Sequence, residues 1–122
     1  MPGLIRSLVL VGTVCIVFVG TLLAHLSVTK TVPEQDEVMA ESPRFLQIWF
    51  TQDPDPGISN ISLEGIDGEI EIGSVTVEDD QSLRAVLPVL LSAGKYSVSW
   101  RSAGDDGHVR RGMFGFSVRE VN

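Results

Sequence analysis

The chain has 122 residues, with 9 Lys and Arg against 16 Asp and Glu, for a formal charge of −7. That length allows one small domain, and the acidic balance argues against a nucleic-acid binder, which needs a basic patch. With 43% apolar and only 20% charged residues, the chain can fold around a core rather than stay an acidic tail. Its single Cys forbids an intrachain disulfide.

The N-terminus reads as an export signal. Arg6 is the only charged side chain before His25, and Leu8 to Ala24 contains none. Those 17 residues would reach roughly 26 Å as a helix, short of the ~30 Å hydrocarbon core. A basic start, an apolar centre and Ala24 at the end are the marks of a signal peptide, although Leu22 is bulkier than the usual residue two positions before a cut. Residues 1–24 are therefore expected to be removed after Ala24; the alternative is an uncleaved membrane anchor. Cys15, preceded by Val14, does not suit lipidation. Cleavage would leave residues 25–122, without cysteine, in an extracytoplasmic compartment.

From there on, the apolar residues alternate. Leu46, Ile48 and Phe50 share one face of a strand; so do Ile61 and Leu63, Ile70 and Ile72, and Val75 and Val77. Tyr96, Val98 and Trp100 form another such set, as do Phe114, Phe116 and Val118. Turn-forming stretches separate them: Asp53-Pro54-Asp55-Pro56-Gly57, Asp67-Gly68, Glu78-Asp79-Asp80, Ala93-Gly94 and Asp105-Asp106-Gly107. This spacing predicts an all-β, immunoglobulin-like (cupredoxin-like) antiparallel sandwich of about seven strands. A single helical turn between Glu34 and Met39 is allowed, bracketed by Pro33 and Pro43. Trp100 falls on the apolar face of its strand and is expected in the core; Trp49 falls on the opposite face from Ile48 and Phe50.

Few residues offer chemistry. There is no Gly-rich phosphate loop, no Cys pair for zinc and no nucleophile elbow around His108. Asp53, Asp55 and Gly57 faintly echo a calcium loop, but two prolines stiffen it and the bidentate Glu is missing. Met39 and Met113 are too scattered for a cuprous site, although thioethers suit Cu(I). Two segments remain. Cleavage after Ala24 makes His25 the first residue, so that its free α-amine and the ring nitrogen nearest the backbone close a chelate on one ion. In Asp106-Gly107-His108, a strand-like backbone would send both flanking side chains to one side and Asp105 elsewhere. Each segment alone has an ordinary reading, as a cleavage junction and as a turn. Together they offer three nitrogens and one oxygen, a tetragonal set that favours Cu(II) over zinc.

At this point the sequence resembles the CopC family of periplasmic copper-binding and copper-resistance proteins. His25-Leu26-Ser27-Val28 running to Pro33 is similar to the family's mature start. Pro43 to Gln52, PRFLQIWFTQ, is similar to its Pro-x-x-x-x-Leu-x-Phe-Ser-Glu strand. Trp100-Arg101, Asp106-Gly107-His108, Gly112 and Phe116-Ser117-Val118 are similar to its closing pattern at matching spacing. The resemblance implies a sandwich that holds one Cu(II) through His25 (amine and ring), Asp106 and His108. Gln52 departs from the family's Glu near the metal end, Gly104 and Asp105 depart from a more usual Ser-x, and the Met-rich loop of some members is missing.

The expectation is a non-enzymatic, monomeric periplasmic or extracytoplasmic protein that carries or buffers copper, with a membrane copper transporter as a further partner. It would touch the membrane itself only if residues 1–24 are retained. Two other readings stay open: a small copper-dependent oxygenase using a terminal His, and a metal-free structural or adhesive sandwich.

Overall fold

The computed structural model describes residues 25–120. The expected signal peptide or anchor, 1–24, lies outside the described residues. Nine strands follow in chain order: β1 Val28–Val32, β2 Val38–Met39, β3 Phe45–Phe50, β4 Asn60–Gly65, β5 Gly68–Ile70, β6 Val75–Val77, β7 Ser82–Val86, β8 Gly94–Ala103 and β9 Val109–Val118. They form two sheets, one ordered β1-β3-β7-β6 and the other β2-β9-β8-β4-β5. The all-β sandwich expected from the sequence is therefore present.

The core is made by the alternation itself. Leu46, Ile48 and Phe50 of β3, with Leu83 and Ala85 of β7, face Ile61, Leu63, Val98, Phe114, Phe116 and Val118 of the other sheet, and all are buried. Burying a Leu, Ile or Phe side chain is worth about 1.5–3 kcal/mol. Trp100 is half-buried, and its ring meets that of Phe50 edge-on at 5.2 Å. Gly112, its cross-strand partner, leaves room for the indole: a Cβ there would lie 2.5 Å from ring atoms.

The structure corrects two details. Among the described residues the strands number nine, where about seven were expected, because β1, β2 and β7 lack a full apolar alternation. β1 is an edge strand with an exposed start, and β7 contributes only Leu83 and Ala85 to the core. The helical turn allowed at Glu34–Met39 is instead one turn followed by β2. The Glu37 N–H donates to the Glu34 carbonyl at 3.1 Å, and Asp36 then takes a φ of 61°, which no right-handed helix accommodates. β2 runs parallel to β9, the one exception to antiparallel pairing among the described strands.

Trp49 is accounted for on the outer face of the four-stranded sheet. Lys30, its cross-strand partner, lies 4.7 Å over the ring. The indole N–H donates to Asp80 at 2.9 Å. The Asp53–Gly57 stretch is a capped turn in which the Gly57 N–H donates to Asp55 Oδ1.

Candidate metal centre

Antiparallel pairing brings the start of β1 beside the end of β3 and the β8–β9 turn, at one end of the sandwich. Each of the three singled-out side chains is set there by backbone contacts. Leu26 is 1% exposed and plugs the core. The next residue is clasped to the end of β3: the Ser27 N–H donates to Thr51 Oγ1 at 3.1 Å, and the Thr51 N–H donates to the Ser27 carbonyl at 2.9 Å. His25 is therefore held at the rim of the sheet.

The other two residues come from the β8–β9 connection. Its β-turn is closed by the Gly107 N–H donating to the Gly104 carbonyl at 3.1 Å. Gly107 then adopts a φ of 71°, where glycine has no steric penalty. Asp106 and His108 do converge, but strand alternation is not the cause: this left-handed step turns His108 back over Asp106. The His108 N–H donates to Asp106 Oδ1 at 3.0 Å, an Asx-type contact of the kind that fixes turns.

The result is a compact donor cluster. His25 Nδ1 lies 2.8 Å from Asp106 Oδ2, and His108 Nδ1 lies 3.5 Å from the same oxygen. The two imidazoles are 5.9 Å apart at 36°. One donor atom from each residue falls within 4.8 Å of the others. Donors placed roughly 2.0–2.2 Å from a single ion are separated by about 3–4 Å; the two separations from Asp106 Oδ2 are close to that range, and the 4.8 Å bound lies above it, so the rings would close slightly on one small cation. The Asp106 side chain is 4% exposed, against 53% for His25 and 73% for His108. The carboxylate is thus fixed at the base while the two rings reach solvent. The hydrogen bond from His25 holds the Asp106 carboxyl below its ordinary range, helped by the His108 N–H and by the charge of both rings when protonated. The proton between His25 and Asp106 occupies the lone pairs that a metal would use.

Asp105 is not in the cluster; its N–H instead donates to Gln52 Oε1 at 3.0 Å. Gln52 thus steadies the turn as an acceptor. A Cβ on Gly104 would collide with the Gln52 amide and lie 3.3 Å from the Leu26 Cβ. The sequence reading missed this supporting role of Gly104, because only the folded turn shows what stands against it. Met39 packs against the core and Met113 is 71% exposed on β9; neither belongs to the cluster.

Fold and cluster together define a small β-sandwich with a nitrogen–oxygen candidate metal centre at one end. The profile described as the CopC domain matches residues 28–119, and the chain belongs to the CopC family. Among solved structures, CopC from Methylosinus trichosporium OB3b is similar at 25% identity and a TM-score of 0.72, over 80% of this chain and 98% of that one. PcoC, a methionine-rich copper resistance protein from Escherichia coli, is similar at 26% identity and a TM-score of 0.70, over 79% of this chain and all of that one. Protein YobA of Escherichia coli K12 is 26% identical over 100 residues, covering 79% of this chain and 80% of that protein.

Proposed function

We propose that the protein binds one Cu(II) ion outside the cytoplasmic membrane and carries or buffers it there, without catalysis. The ligands are the His25 amine and ring, Asp106 and His108. This reading includes export and cleavage after Ala24, which frees the amine. The observation that supports it most is the meeting of His25 with Asp106 across 81 residues of sequence, at a spacing close to that of two donors on one cation. The donor set is imidazole, amine and carboxylate, which suits Cu(II), whereas no thioether stands in the cluster to favour Cu(I). Family membership and the copper-resistance relative support the choice of metal. A membrane transporter is the natural recipient of the ion.

Copper titration of the exported protein, followed by electron paramagnetic resonance, tests this. One equivalent should bind with a tetragonal signal split by nitrogen. Because the ligands must shed protons, affinity should fall on acidification. Absence of saturable Cu(II) binding, or a signal without nitrogen splitting, would overturn the reading.

A further inference from the structure

The β8–β9 arm carries a pair of arginines without a carboxylate partner among the described residues, near the candidate centre. Arg101 and Arg111 are cross-strand partners and both are exposed. Like charges directly opposite one another destabilise a sheet, and among the described residues no carboxylate pairs with either. Among the described residues the ion pairs are those of Asp106 with its two histidines, although 16 carboxylates are available in the sequence. Arg101 donates from Nε to the Ile58 carbonyl at 3.2 Å, which fixes its stem and leaves the terminal nitrogens outward. The pair lines a shallow groove of about 240 Å³ with Asn60, Ser62, Ser99 and Trp100, and no carboxylate lines it.

We infer that this groove is a docking site for an acidic segment of a partner protein, whose carboxylates are gripped by Arg101 and Arg111. Guanidinium forks pair bidentately with carboxylates, and the amide and hydroxyls around them supply further hydrogen bonds. Arg110, the neighbour of Arg111 on β9, is exposed as well but does not line the groove; three of the eight basic side chains among the described residues lie on this arm of an otherwise acidic protein. Arg111 is three residues from His108, about 10 Å along an extended strand. A partner held in the groove therefore lies on the same arm as His108, near the end of the sandwich that carries the candidate centre. That this partner receives the metal rests on the proposed copper reading; the binding itself does not.

The test uses a fluorescein-labelled hexaglutamate peptide and the exported protein without metal, at neutral pH and low salt. Saturable anisotropy binding is expected, weakening as salt screens the charges. Amide shifts should be centred on Ser62, Ser99 and Arg111. The double variant Arg101→Gln/Arg111→Gln should weaken binding about tenfold, the scale of two exposed charge-assisted contacts, and Arg101→Lys should retain part of it. Cu(II) titration of the same double variant should be unchanged, so a failure of the copper reading would leave the peptide result standing. No saturable binding, equal binding by the double variant, or shifts confined to another face would overturn the proposal. Self-association abolished by the double variant would also overturn it, by making a second copy the occupant.

Discussion

The His25 ring meets the Asp106 carboxylate at 2.8 Å, joining the first described residue to the β8–β9 turn at the base of the candidate centre. The contact depends on two independent anchors, the buried Leu26 and the closed Gly104–Gly107 turn. The position of the cluster is thus set by contacts of the chain itself.

Asp106 and Asp105 are adjacent but should behave differently. Asp106 is buried beneath both imidazoles, whereas Asp105 is exposed and meets Gln52 through its backbone. Asp106→Ala should weaken Cu(II) binding by about a hundredfold, the upper end of what losing a supporting group alone costs. Asp105→Ala should change it by less than about threefold, as expected of a surface substitution away from the site. Competition titration with a chromophoric chelator measures both, and equal losses would remove Asp106 from the ligand set.

Acid should loosen the apo turn by way of Asp106. Its carboxyl is held below the ordinary value of 3.8, first by the hydrogen bond from His25. A folded-state value below the unfolded one contributes stability that is present above 3.8 and is lost as pH falls through the lowered value. The melting-temperature gap between the wild type and Asp106→Asn should therefore be wider near pH 5 than near about pH 3. A gap that is constant or widens toward acid would contradict the assignment.

Gly104 should matter to the site without touching it. A Cβ there collides with the Gln52 amide, so Gly104→Ala must displace either Gln52 or the turn that carries Asp106. Copper affinity should drop about tenfold, the lower end for loss of a supporting contact. The double variant Gly104→Ala/Gln52→Ala should recover part of it, because the obstruction is gone. Gln52→Ala alone reports the cost of losing the Gln52 side chain, its contact with the Asp105 N–H included. No recovery in the double variant would place the defect in the backbone of Gly104 itself.

Much of the fold was legible because β3, β4, β8 and β9 bury strict alternations such as Leu46, Ile48 and Phe50. β1 and β7 were not, since an edge strand and a strand with only Leu83 and Ala85 inward leave little periodic signal. The short β2 depends on a tertiary contact, the Asp36 N–H donating to the Gly115 carbonyl at 2.7 Å, which local sequence does not encode. In the candidate site the three residues were visible as His25 and the only Asp-Gly-His run. The reason for their meeting was not, because it lies in the left-handed Gly107 and in the contact of Gln52 with the Asp105 N–H.

Gly112 gives a stability prediction separate from the metal. Its Cβ would sit 2.5 Å from the Trp100 indole, and that ring is backed by Phe50 and cannot retreat freely. Gly112→Ala should destabilise the apo protein by about 1–3 kcal/mol, the usual cost of overpacking. Denaturant unfolding monitored by tryptophan fluorescence measures it. An unchanged midpoint would mean that the indole has an alternative seat.

The His25 amine should bind copper together with its ring, and one added residue isolates its contribution. Placing a Met before His25 converts the amine to an amide and opens the chelate, while Asp106, His108 and the core are untouched. Competition titrations with Cu(II) on the chain starting at His25 and on the extended chain make the measurement, with apo melting of both as the control. Equal melting temperatures are expected, with an affinity for the extended chain lower by at least about a hundredfold, or roughly 2.7 kcal/mol. Equal affinities would contradict amine ligation, leaving His25 bound through its ring alone or not bound at all.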